Sequence, residues 1–108
     1  MVNMSQAEPI LKQIVQQLLR AGQPQKIILF GSQARGQASA ESDYDLLVIE
    51  NSSAPRHRRA TPYRRALKGL GHPKDILVWT QDEVDEWGNV PNAFITTALR
   101  EGKVLYER

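Results

Sequence analysis

Three short apolar runs constrain this chain most. Lys26 to Phe30 (KIILF) is a short apolar, β-branched run, Asp43 to Ile49 (DYDLLVI) and Asp75 to Trp79 (DILVW) are apolar after their opening acids, and polar residues, glycine or proline bound each of the three. All are too short for a buried helix, so they are predicted strands. The segments around them carry helical signals. Ser5-Gln6-Ala7-Glu8 has the capping-box pattern, and Ile10, Leu11, Ile14, Val15, Leu18 and Leu19 follow at helical spacing as far as Gly22. Thr61-Pro62 reads as an N-cap with proline at the first helical position, which predicts a helix over about Pro62 to Lys68, ending at Gly69 to Gly71. Whether Pro55 to Ala60 forms an earlier helical turn is left open by the pattern. Thr80-Gln81-Asp82-Glu83 is a second capping box and predicts a helix directly after the third strand. Another helix is expected from Pro91 to Glu101, stopped by Gly102, with a short final strand over Lys103 to Tyr106. The order α-β-turn-β-α-β-α-α-β predicts an α/β fold, a sheet carrying helices.

The 108 residues are expected to form one domain, 1–108, with a single core of modest size, so that any larger active site is shared with a partner. No run approaches the roughly 20 apolar residues of a membrane span, and no leader pattern opens the chain. Cysteine is absent, which excludes disulfides and thiolate metal sites and fits a reducing cytoplasm. Charge is unevenly spread although the net value is only +2. Residues 51–74 hold no acid but carry Arg56, Arg58, Arg59, Arg64, Arg65, Lys68 and Lys74. Such a segment is either a solvated helix face, a surface for a polyanionic ligand, or a docking surface for a complementary partner.

The acids are placed where chemistry is possible. In a strand, residues i and i+2 share a face about 6.5–7 Å apart, so Asp43 and Asp45 point together while Tyr44 points away. Two carboxylates that close repel, and keeping both ionised calls for a cation. Hard oxygen donors on a strand suit Mg²⁺ or Mn²⁺. Asp75 opens its strand in the same way, and pairing of the two strands would bring it beside Asp45. Three carboxylates could then hold two metal ions, the arrangement that clamps the attacking and leaving oxygens of an in-line displacement at phosphorus. Upstream, Gly31 lets a phosphate approach the backbone, Ser32 can donate to its oxygens, and Arg35 could reach a phosphate or pair with an acid. Taken singly, Gly-Ser at a strand end is an ordinary turn and Asp-x-Asp at a strand edge is solvated charge. Their order along the chain favours a site.

Gly31-Ser32, ten residues, then Asp43-Tyr44-Asp45 matches the G-S-x10-D-x-D signature of the nucleotidyltransferase superfamily that shares the DNA polymerase β palm. With its GSQARG turn, its SDYDLLV and KDILVW strands and its closing ALREGKVLYER, the chain resembles the minimal nucleotidyltransferase (MNT) family along nearly its whole length. The resemblance implies a small mixed β-sheet flanked by helices, in a polymerase β palm-like fold. It implies that Asp43 and Asp45 bind catalytic Mg²⁺ ions, with Asp45 bridging both, that Asp75 completes the site and helps orient the attacking hydroxyl, and that Gly31 and Ser32 hold the β- and γ-phosphates of a nucleoside triphosphate. The reaction implied is transfer of AMP from ATP with release of pyrophosphate. Minimal members of the family are commonly paired with a small helical HEPN protein, an RNase toxin whose antitoxin is the transferase, and some are thought to adenylylate a tyrosine on it.

Two other classes of function compete with this one. The chain could be a non-catalytic antitoxin that neutralises its partner by binding alone, although strand packing has no need of three acids at strand ends. It could instead bind nucleic acid through the arginine-rich segment. Tyr63 is that segment's only aromatic residue, which disfavours base stacking. His57 and His72 lack metal-ligand spacing and are expected on the surface. Trp79, Trp87 and Phe94 suit core packing around the later helices, or an interface in the case of Trp87.

Overall fold

A computed structural model describes residues 9–30, 44–70, 74–88 and 94–108. Among the described residues four strands form one mixed sheet: β1 (Lys26–Phe30), β2 (Tyr44–Ile49), β3 (Lys74–Trp79) and β4 (Lys103–Glu107), in the order β3-β2-β1-β4. β1 pairs antiparallel with both β2 and β4, whereas β2 and β3 run parallel. Parallel neighbours need a long crossover, and two short helices occupy it, α2 (Arg56–Arg59) and α3 (Thr61–Leu67). α1 (Pro9–Ala21) precedes the sheet, while α4 (Gln81–Trp87) and α5 (Phe94–Glu101) lie between β3 and β4. The fold is α/β, as the residue pattern predicts.

Alternation along the strands sorts the side chains into two cores. Ile27 and Leu29 of β1, Tyr44, Leu46 and Val48 of β2, and Ile76 and Val78 of β3 face α1 and α3, packing on Leu11, Ile14, Val15 and Leu18 and on Tyr63 and Leu67. Ile28, Leu47 and Ile49 face the other way and pack on Val84, Ile95 and Ala98, with Phe30 and Trp79 at the margin. Helices on both faces explain why the central strands read as unbroken apolar runs rather than as a polar–apolar alternation. α1 is an amphipathic helix whose buried stripe is Leu11, Ile14, Val15 and Leu18, and Leu19 is left partly exposed. Trp87 is exposed as well, so it does not pack in the core as expected, and the Phe94 side chain lies outside the described residues.

The crossover departs from the expected helix. Thr61 is the first residue of α3 and not its cap; the preceding Ala60 is itself helical in conformation, at φ −81° and ψ −14°, and makes no side-chain cap bond. α3 thus follows α2 through the helical Ala60, and the Arg64 N–H that a Thr61 cap would receive donates instead to the Ala60 carbonyl at 2.9 Å. The second capping box is present in full: Thr80 Oγ1 accepts from Glu83 N, and Glu83 Oε1 accepts from Thr80 N. The proposed capping box at Ser5 to Glu8 and the helical start at Pro91 lie outside the described residues.

Close approach of other atoms bears on Gly22 and Gly102. Gly22, just after α1, lies under the Tyr63 hydroxyl and the Glu50 carboxylate, 2.5 and 3.0 Å from where a Cβ would stand. Tyr63 donates to Glu50 Oε1 while Glu50 Oε2 accepts from Gln23 N at 3.0 Å, so one carboxylate ties α3, the end of β2 and the exit of α1 together. Burial, reinforced by the Glu50 carboxylate, pushes the Tyr63 phenol above its ordinary range, so it donates throughout the usual pH range. Gly102 turns the chain from α5 into β4 where a Cβ would run into the Ala98 carbonyl and the Ile28 side chain. Backbone cannot yield as a flexible side chain can. Gly102→Ala is therefore expected to destabilise the fold by about 1–3 kcal/mol, read as a lower urea midpoint.

Candidate active site

The parallel register of β2 and β3 builds the site. It pairs Tyr44 with Lys74, Asp45 with Asp75, Leu46 with Ile76, and so on to Ile49 with Trp79. Paired residues of neighbouring strands stand about 4.8 Å apart and point to the same face. Asp45 and Asp75 thus lie side by side on the α4–α5 face, each the second residue of its strand. Phe30, the last described residue before Gly31, is the antiparallel partner of Asp45. One row across the sheet reads Phe30, Asp45, Asp75, apolar on one side and acidic on the other. Asp45 is half-buried beside that apolar neighbour, while Asp75, on the edge strand, is exposed.

Like charges placed opposite one another weaken a sheet. Packing does not explain the pair, because the next residues on this face, Leu47 and Ile49, are buried and apolar. Two adjacent carboxylates, one of them open to solvent, make a donor set that a small hard dication fits, and Asp45 and Asp75 are the described residues that could hold one. Among the described residues no group of three or more His, Cys, Asp or Glu side chains gathers at a single point. Asp43, Gly31, Ser32 and Arg35, the other expected site residues, lie outside the described residues, as does His72. His57 is exposed on α2.

The basic segment is partly committed to structure. Arg59, only 10% exposed, donates from Nη1 to Glu83 Oε1 at 2.6 Å and from Nε to the Ala54 carbonyl at 2.9 Å. Arg56 donates to Glu83 Oε2 at 3.2 Å and lays its guanidinium over the Trp79 ring, 4.5 Å from the centroid. Glu83 is thus the second half of a helix cap and the acceptor for two arginines. The hydrogen bond from Arg59, aided by the Thr80 N–H and by Arg56, holds its carboxyl down at about 2, against a desolvation cost that acts the other way. This network is invisible in the spacing of the arginines, although Glu83 itself stands out as the N3 residue of the capping box. Arg58, Arg64, Arg65 and Lys68 remain exposed.

A model of the nucleotidyltransferase domain family matches residues 10–107, and the chain belongs to that family. Two solved structures share the fold. One, described as the toxin-antitoxin with AMP-PNP, superposes with a TM-score of 0.66 at 19% identity, covering 91% of this chain and 73% of the other. The second, a Sulfolobus solfataricus protein assigned as a nucleotidyltransferase, gives a TM-score of 0.63 at 19% identity, covering 98% of this chain and 94% of the other. No curated protein matches the sequence.

Because the Glu83 carboxyl is held below its ordinary value of 4.5, its ionised form stabilises the folded state fully above that value, and this stabilisation is lost as pH falls toward about 2. Glu83→Gln is expected to lower stability at pH 7 by about 1–3 kcal/mol. The melting temperatures of wild type and variant should then converge as the pH is taken from 5 to 2, which thermal unfolding followed by circular dichroism will read.

Proposed function

We propose that this chain is a metal-dependent nucleotidyltransferase that moves AMP from ATP to a partner protein, acting in the cytoplasm as the antitoxin of a helical HEPN RNase toxin. The observation that carries the proposal is the juxtaposition of Asp45 and Asp75, two carboxylates in register on one sheet face next to the strand end that leads into Gly31-Ser32. Membership of the nucleotidyltransferase family supports the reaction class. The structural likeness to a toxin-antitoxin bound to AMP-PNP supports both the pairing with a toxin and the choice of an adenine triphosphate.

Asp43, Asp45 and Asp75 hold the metal, and Asp75 also helps to orient the acceptor. Mg²⁺ ions, or Mn²⁺, bound there would neutralise the crowded carboxylates and stabilise negative charge on the transferring phosphoryl group. Gly31 and Ser32 hold the β- and γ-phosphates, and Arg35 adds a cation to the triphosphate. The acceptor hydroxyl of the partner, aligned by Asp75, forms a bond from its oxygen to the α-phosphorus. The bond from that phosphorus to the β-bridging oxygen breaks, pyrophosphate departs, and the hydroxyl proton passes to the Asp75 carboxylate.

Two measurements test this. Incubation with labelled ATP, MgCl₂ and a helical HEPN partner should move label to the partner, and Asp45→Asn or Asp75→Asn should reduce the rate at least ~100-fold. Absence of transfer by wild type with its partner present overturns the proposal, and an Asp45→Asn protein that neutralises the toxin as well as wild type points to neutralisation by binding alone. Independently of activity, MgCl₂ should raise the melting temperature of wild type but not of Asp45→Asn, since only a site that binds the ion in the folded state gains stability from it.

A further inference from the structure

We infer that the groove between β3 and the α2–α3 crossover docks an extended, acidic segment of the partner polypeptide and leads it toward Asp75. The inference rests on the reading that the partner of this site is a protein; the groove and its charge are independent of it. β3 is an edge strand. The Trp79 carbonyl accepts from Glu50 N at 2.9 Å, so the odd-numbered residues of β3 turn their backbone groups to β2. Ile76 and Val78 therefore turn theirs outward, and the Val78 carbonyl faces Arg59 Nη1 at 3.4 Å. Along that outward edge runs a groove of about 390 Å³, with Arg56, His57 and Arg64 on its helical side and β3 residues 76–79 on the other. Its lining ends at Ile76, one residue from Asp75.

The groove has two chemical characters. Leu77 is 38% exposed at its margin, a large apolar side chain on an edge strand that otherwise buries Ile76 and Val78. The opposite wall is cationic and lies in the stretch without acids, with Arg58, Arg65 and Lys68 exposed on or beside the same helices. Arg64 makes no ion pair with any described residue. A strand edge beside an apolar shelf suits an extended chain, which takes up backbone groups with every second residue and offers alternate side chains to the two walls. The cations select acidic side chains for the helical wall. Nucleic acid fits less well. The Trp79 ring already carries the Arg56 guanidinium and Tyr63 is buried, so the groove offers no free aromatic platform on which a base could stack.

The probe is a fluorescein-labelled peptide of alternating glutamate and leucine, titrated by fluorescence anisotropy with the full chain in the absence of ATP and metal. Binding is expected, with Arg64→Glu weakening it by roughly tenfold or more and Lys12→Glu, an exposed change on α1 outside the groove, leaving it nearly unaltered. A lysine–leucine peptide should not bind. Absence of binding by the glutamate–leucine peptide, equal binding of the lysine–leucine peptide, indifference to Arg64→Glu in a protein of unchanged melting temperature, or capture of oligouridylate in place of the peptide overturns the inference. Since the assay needs neither nucleotide nor metal, a chain that binds the peptide but transfers no label removes the transfer reading alone. A chain that labels its partner equally well with Arg64→Glu removes the groove alone.

Discussion

The in-register parallel pairing of β2 with β3 is the constraint on which the rest of the molecule turns. A shift by one residue would move Asp75 to the other face of the sheet and expose Ile76 and Val78, which are 2% exposed in the observed register. The cores and the acidic pair are therefore set by the same register. Burial of Leu46, Val48, Ile76 and Val78 against α1 and α3 holds two carboxylates together that would separate if left to themselves. Hydrophobic burial thus fixes the spacing of the two acids.

A second balance operates at the other end of β3. Glu83 caps α4, receives Arg59 and Arg56, and through Arg56 fixes the cation over Trp79. The arginines thus brace the crossover against the first turn of α4, and Arg59 reaches the edge of β3 as well. A single acid meets charge that the local sequence leaves unbalanced. Beyond this pairing, Arg58, Arg64, Arg65 and Lys68 face solvent.

The strands were legible because burial on both faces leaves a strong mark, an apolar run too short for anything else. KIILF coincides with β1, and the expected start of the third strand at Asp75 differs from β3 by one residue. The Thr80–Glu83 box was equally legible, since both halves of a cap lie within one turn. The juxtaposition of Asp45 and Asp75 could be anticipated only as a consequence of strand pairing, because nothing local to either acid states its neighbour. The crossover was misread at Thr61, where a good capping residue sits next to a proline yet the helix already begins on the far side of Ala60. The arginine pairs with Glu83 span 24 and 27 residues, beyond the reach of any local pattern. The phosphate role expected of Gly31 and Ser32 comes from the motif, and both residues lie outside the described residues.

β4 has a role beyond completing the sheet. It covers the edge of β1 opposite β2, pairing Lys26 with Glu107 and Leu29 with Lys103 through a bulge between Ile27 and Ile28. β1 is among the most apolar segments of the chain, and β4 by contrast carries charge at both ends and buries only Leu105. A polar strand thus serves as the outer rim of an apolar one. Were β4 to peel away, KIILF would present open hydrogen-bonding groups with apolar side chains on both sides, a template for strand addition by other copies. β4 thereby covers the apolar edge of β1, and the charges at its two ends mark that rim as an end to the sheet.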